Sequence, residues 1–275
     1  MTLTLAQKDY LWEYLTHAPA ALALLRAIEC RELNDLATER PLFEHPMLDL
    51  GCGDGLFGQV FFSQRPELGL DYSRHELRTA ASRGAYRALV QGDITAIPCP
   101  DNAFASVFSN GVLEHVHDLS QGLREIARVL RPGGRLIMTV PTMADELELS
   151  AAALLRSLGL RQWAQRYADF YNRAFGQINV HPVETWRELL AAGGLRLTYH
   201  RAYGSAAVFR LHDLTLPLSA PNFICKRLTG RWVALPMLRR ATLAPIWATW
   251  LRGLYLDRES PGCSLLMIAE SNKIV

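Results

Sequence analysis

The spacing of hydrophobic positions changes along the chain. Up to residue 45, Leu15, Leu22, Leu25, Ile28, Leu33 and Leu36 recur at helical spacing, with a break at Pro19 and an end marked by Pro41 and Pro46. This predicts two helices ahead of the first strand. From Met47 onward, short apolar runs at 47–50, 67–71, 86–91, 104–109 and 135–140 alternate with amphipathic stretches and read as strands. The helices between them have readable ends. Ser73 and Glu76 form a capping box ahead of a helix that stops near Gly84. A second helix starts at Asp118, lines Leu119, Leu123, Ile126, Ala127 and Leu130 along one face, and stops at Arg131-Pro132-Gly133-Gly134. Strands alternating with helices of this length predict an α/β fold with a parallel sheet covered on both sides. Residues 143–180 read as helical and aromatic (Trp163, Tyr167, Phe170, Tyr171, Phe175), followed by a helix near 183–192 and strands at 195–200 and 264–271.

Composition narrows the class. The 275 residues suit one α/β domain carrying an insertion, and 49% hydrophobic against 20% charged residues describes a chain that buries a core. A net charge of +2 leaves no overall basic footprint for nucleic acid. Cys30, Cys52, Cys99, Cys225 and Cys263 are odd in number and scattered without a CxxC pair, so neither a disulfide framework nor a structural zinc site is expected, and a reducing cytoplasm is. Lys8, Asp9 and Glu13 interrupt the apolar stretch that a secretory signal needs, and no run of 18 apolar residues occurs, so neither export nor a membrane span is expected.

The candidate chemistry begins at Asp49-Leu50-Gly51-Cys52-Gly53-Asp54-Gly55, a strand entering a glycine turn ahead of a helix. Such a turn lets backbone approach a ligand closely. A dinucleotide fingerprint starting at Gly51 needs glycine at position 56, where this chain has Leu56, so a pyrophosphate cofactor is disfavoured. Asp71 closes the second strand, where a carboxylate accepts bonds from two ribose hydroxyls. Asp93 follows the third strand at the same edge, suited to an adenine amino group, with Ile94 beside it to pack on the ring.

Together with Leu70-Asp71-Tyr72-Ser73, Gly92-Asp93-Ile94 with Pro98, Leu113-Glu114-His115-Val116-x-Asp118 and Glu125-x-x-Arg128-Val129-Leu130-Arg131-Pro132-Gly133-Gly134, these residues resemble the class I S-adenosylmethionine-dependent methyltransferases, type 11, over about residues 47–142. The resemblance implies a Rossmann-like, seven-stranded, mostly parallel sheet of order 3-2-1-4-5-7-6. It divides the chain into an N-terminal helical cap (1–46), a methyltransferase domain (47–203 with 262–275, its acceptor cap at 143–180) and an insertion (204–261). It implies S-adenosylmethionine as cofactor, with Asp49, Gly51, Cys52, Gly53, Gly55, Asp71, Tyr72, Asp93, Ile94 and Asn110 around it and Arg26 reaching its carboxylate. Methyl transfer demands alignment and water exclusion rather than a metal, so no metal is expected. An oxygen or carbon acceptor must lose a proton, for which His115 is the first candidate base and His181 and Tyr171 are others; Glu114 and His117 read as loop and helix-start residues.

The stretch between 200 and 264 exceeds the hairpin that closes such a sheet. Residues 214–256 hold Lys226, Arg227, Arg231, Arg239, Arg240 and Arg252 with no acid, beside Trp232, Trp247 and Trp250. That composition suits an anionic membrane interface, and equally a lid or a dimer surface; RNA is the weaker alternative. The expected function is methyl transfer to a small, apolar or lipid-linked acceptor. Its alternatives are a soluble metabolite as acceptor, or a non-catalytic S-adenosylmethionine-binding partner. The expected location is the cytoplasm, peripheral on the inner membrane face if the insertion binds lipid.

Overall fold

Capped helices alternating with apolar runs wrap a seven-stranded sheet in the computed structural model, which describes residues 8–142, 149–215, 217–258 and 262–273. Two helices come first, α1 (Tyr10–His17) and α2 (Ala20–Glu39), parted at Pro19. Next are β1 (Met47–Leu50), α3 (Leu56–Phe61), β2 (Leu68–Asp71), α4 (Arg74–Arg83), β3 (Ala88–Gln91), β4 (Phe104–Asn110), a 3-10 turn at Leu113–His115, α5 (Leu119–Val129) and β5 (Leu130–Pro141). Residues 143–148 of the expected acceptor cap lie outside the described residues; α6 (Ser150–Ser157) and α7 (Arg161–Phe175) form the rest. The chain continues through α8 (Val183–Ala192), β6 (Leu195–Tyr203), α9 (Ala206–Thr215), α10 (Ala220–Thr229), α11 (Pro236–Ala241), α12 (Leu243–Leu256) and β7 (Ser264–Ser271).

Local chemistry sets the helix ends. Ser73 Oγ accepts the Glu76 N–H, Gly84 ends α4 at a left-handed φ of 62°, and Asp118 Oδ1 accepts the Gln121 N–H. Two boundaries differ from the sequence reading. β3 starts at Ala88 rather than 86, because Tyr86 turns inward to donate its hydroxyl to Asp49. The Pro132-Gly133-Gly134 run is not a loop before β5 but its irregular first part: Gly133 takes a φ of 69°, and the pairing of β4 with β5 slips between Phe104 and Ser106.

The strand order is β3-β2-β1-β4-β5-β7-β6, as the resemblance implies. All neighbours are parallel except β7, which runs antiparallel between β5 and β6. β1 is buried along its whole length at the centre. Parallel strands with helical crossovers bring the carboxyl ends of β1 to β4 to one edge, and the chain reverses direction around β1 there, which is where open sheets of this kind bind ligands.

One face of the sheet packs under α1, α2 and α12, with Phe108 touching Phe43, Phe57 and Phe62. The other packs under α5 and α8, centred on Leu123, Ile126, Leu190 and the fully buried Trp186. The long stretch between β6 and β7 is helical. Its α12 seats Ala244, Ala248, Leu251 and Tyr255 inward, Arg252 pairs with Asp9 at 2.6 Å, and Arg239 Nε donates to the Leu15 carbonyl at 2.8 Å. Arg239 is therefore part of the fold rather than a free surface cation.

Trp186→Ala empties a fully enclosed site and is expected to cost about 3–5 kcal/mol in urea unfolding.

Candidate active site

The glycine turn after β1 holds the site together. Gly51 and Cys52 both donate their N–H groups to the Leu70 carbonyl, at 2.7 and 2.9 Å, which ties the end of β1 to the end of β2. Gly51 has a φ of 81°, and a Cβ there would stand 2.4 Å from Val112 Cγ2, so the turn also closes against the loop after β4. Gly53 is left-handed too, but a Cβ on it would meet nothing within 4 Å. Gly55 begins α3, and a Cβ on it would touch the Ala80 backbone at 3.0 Å, so it also packs closely on α4.

A cavity of ≈ 830 Å³ opens over the ends of β2, β3 and β4. Gly51, Asp71, Tyr72, Asp93, Ile94 and His115 line it. Asp71 is buried and accepts the Gly53 and Ser73 N–H groups at 2.9 and 2.8 Å, one on each oxygen. Asp93 accepts the Thr95 N–H and hydroxyl, and these two bonds hold its carboxyl below the usual range. Tyr72 lies at the rim, 79% exposed. His115 donates from Nδ1 to the Gly176 carbonyl at 3.0 Å, so α7 and the loop after β4 meet here.

A second cavity of ≈ 200 Å³ shares Gly51 and lies under α1 and α2, lined by Tyr14, Arg26, Asp49, Cys52, Gly53, Phe108, Asn110, Lys226 and Trp232 among others. Burial pushes the Asp49 carboxyl up to about 7, although Tyr86 donates to it at 2.6 Å. Arg26 donates through Nη1 to Asn110 at 2.8 Å and to Glu29 at 2.7 Å. Lys226 arrives from α10 in the insertion. Its Nζ lies 3.2 Å from Glu76, 3.7 Å from Asp54 and 4.6 Å from the Trp232 ring centre.

The cavities thus gather Asp49, Gly51, Cys52, Gly53, Asp71, Tyr72, Asp93, Ile94, Asn110 and His115, and also Arg26. His181 packs edge-on against Trp186, and Tyr171 lies tilted against Phe175 with its hydroxyl 3.2 Å from His212; neither lines these two cavities. The sequence reading missed Lys226 and Trp232 at the site and missed the burial of Glu114, which is only 4% exposed. Sequence distance hid the first two. Among the described residues no cluster of His, Cys, Asp or Glu could hold a metal.

A model described as a methyltransferase domain matches residues 48–138. That segment is a methyltransferase domain, and the chain is similar to the class I S-adenosylmethionine-dependent methyltransferases of type 11. It is 36% identical to the malonyl-acyl-carrier-protein O-methyltransferase of Pseudescherichia vulneris over 144 residues, 50% of this chain and 57% of that one. It is 28% identical to the ubiquinone biosynthesis O-methyltransferase of Sinorhizobium fredii over 184 residues, 64% and 70% of the two chains. The chain spans about half the length, or less, of the first curated relatives it matches. Its fold is similar to that of an S-adenosylmethionine-dependent methyltransferase from Mesorhizobium loti, with a TM-score of 0.50 at 19% identity over 87% of this chain and 97% of that one. It is also similar to the 4+2 cyclase SpnF, with a TM-score of 0.53 at 19% identity over 87% and 80%.

The family's cofactor is S-adenosylmethionine, and the residues present fit it. The larger cavity carries acids suited to an adenosine, the smaller one carries both charge signs suited to an amino acid, and the two meet at side-chain-free Gly51.

Both Gly51→Ala and Gly53→Ala force a side chain into left-handed backbone, at about 1–3 kcal/mol. Only the first also collides with Val112, so urea denaturation is expected to show Gly51→Ala as the more destabilised of the two.

Proposed function

We propose that this chain transfers a methyl group from S-adenosylmethionine to a small acceptor that is apolar or lipid-linked. The observation that carries this reading is the pair of cavities joined at Gly51, one lined by Asp71 and Asp93 and the other by Asp49, Arg26, Asn110 and Lys226. In this reading Asp71 accepts the ribose hydroxyls, Asp93 accepts the adenine amino group, Ile94 packs on the ring, and Tyr72 covers the ribose. Cys52 and the backbone of Gly51 and Gly53 border the methionine. Arg26 and Lys226 face its carboxylate, and Asp49 faces its ammonium, with Asn110 beside it. When bound, the cofactor supplies a sulfonium-activated methyl group whose sulfur leaves as a neutral sulfide. The chain's own part is to hold both partners in line and to exclude water.

The apolar acceptor rests on the insertion. α12 is apolar on two faces: the inward face packs on α1 and α2, while Leu243, Ile246, Trp250 and Leu256 turn outward, Trp250 being 76% exposed. Leu228 on α10 and Met237 on α11 are 77% and 75% exposed, beside the exposed Arg227, Arg231 and Arg240. Outward apolar side chains mixed with unpaired-sign cations match an anionic bilayer surface. No helix among the described residues is long and apolar enough to cross a membrane. The relatives named for malonyl-acyl carrier protein and ubiquinone biosynthesis are compatible with acceptors of this kind.

Two measurements test the reading. Calorimetry is expected to show S-adenosylmethionine affinity falling as pH drops through about 7, by up to tenfold per pH unit, because protonated Asp49 no longer faces the ammonium as an anion. Asp49→Asn should bind weakly and lose that dependence; a pH-independent affinity in the unmodified protein refutes the role. In sedimentation, the protein is expected to pellet with anionic vesicles and not with neutral ones. Arg227→Glu with Arg240→Glu should release it, since each basic residue at such a surface contributes on the order of 1 kcal/mol. Absence from both pellets rules out the membrane surface.

A further inference from the structure

A third cavity, ≈ 110 Å³, adjoins the first two. It shares Gly111 with the cavity over the strand ends and Arg26 with the cavity under α2. In the cofactor the sulfonium links the adenosine to the methionine chain, so the transferable methyl belongs where those two cavities meet, and the third cavity borders both of them. Its walls are mixed: Leu22, Leu25, Val140, Pro141 and Phe209 are apolar, and Thr139 and Gln177 are polar beside the charged groups.

Two carboxylates face this space. Glu29 is already engaged, accepting from Arg26 on one oxygen and from the Tyr203 hydroxyl on the other. Glu114 is not. Its Oε2 is buried with no hydrogen-bond partner among the described residues, and Oε1 lies 3.8 Å from His115 Nε2. Its backbone is held firmly: the Glu114 carbonyl accepts the Ile178 and Asn179 N–H groups, and Asn179 Nδ2 donates to the carbonyls of Leu113 and Val116. A dry carboxyl with one oxygen unpartnered, on the wall of a cavity that borders the other two, is suited to take up a proton.

We propose that Glu114 is the catalytic base and that the acceptor atom is a hydroxyl oxygen on an apolar, phenol-like molecule. This rests on the methyl-transfer reading above. The acceptor O–H gives its proton to the Glu114 carboxylate, its electron pair forms the new oxygen–methyl bond, and the sulfur–methyl pair stays with sulfur. An amine acceptor enters without needing this base once neutral, and a carboxylate acceptor would carry its charge toward two acidic side chains. Burial pushes the Glu114 carboxyl up to about 8, with its own backbone N–H and then Arg26 opposing and Glu29 reinforcing the shift. Among the described residues, the other ionisable groups nearby are His115, 43% exposed on the adenosine side, and Tyr203, held on Glu29. The base form therefore fills as pH rises through about 8.

The experiment offers the full-length protein hexylphenol, hexylamine and hexanoate with S-adenosylmethionine and reads release of S-adenosylhomocysteine. Turnover is expected with hexylphenol, rising to a plateau above about pH 8. Glu114→Gln should lower kcat by about 10²-fold and abolish the inflection, with KM nearly unchanged. His115→Ala should keep the inflection. Infrared difference spectra should show a protonated carboxyl band that disappears over the same pH range and is missing from Glu114→Gln. Turnover confined to hexylamine or hexanoate, turnover of none of the three, or a Glu114→Gln enzyme with native kcat and pH profile overturns the proposal. Calorimetric affinity for S-adenosylhomocysteine in the same preparations separates this failure from failure of the cofactor reading: intact binding condemns only the base, lost binding condemns the cofactor assignment.

Discussion

The site depends on a missing Cβ. β1 can end against Val112 only because Gly51 has no side chain, and that approach brings the backbone of the turn, the end of β2 and the loop after β4 into one place. A parallel sheet supplies the edge, because crossovers on both faces leave the carboxyl ends of β1 to β4 together. The glycine converts that edge into two cavities that share a wall. Everything argued about the adenosine and methionine ends follows from this one contact.

Burial then sets the chemistry. Asp49 and Glu114 are carboxyls taken out of water and, among the described residues, neither is paired with Lys or Arg, so the protein holds both closer to their neutral forms than a surface acid would be. Neutral acids cost the empty fold little, and each becomes useful when a ligand offers a positive group or a proton to move. Arg26 links the two regions: it touches Asn110 and Glu29, and it lines the second and third cavities.

The features legible in the sequence are those decided within a few residues. Ser73, Gly84 and Asp118 end helices by local bonds, and the apolar runs alternate with them in a way that only a parallel sheet satisfies. Asp71 and Asp93 were readable because each follows its strand directly. What stayed hidden depends on contacts across long sequence separations. Lys226 reaches the site only because α10 folds back over α4, and Glu114 looks like a helix-start acid until the 178–179 backbone encloses it. The packing of Gly55 on Ala80 is hidden as well, because a glycine packing on a helix and a glycine facing a ligand have the same sequence signature. The insertion's charge was legible, but not its division into Arg239 and Arg252, which bind the fold, and Arg227, Arg231 and Arg240, which face outward.

The central claim is that the paired cavities hold an adenosine joined to a methionine. The most direct measurement is calorimetric titration of the protein with S-adenosylhomocysteine and, separately, with NAD. One S-adenosylhomocysteine per chain, bound in the micromolar range and not displaced by NAD, is the result this account predicts. No binding of S-adenosylhomocysteine, or displacement by NAD at similar concentration, would contradict it.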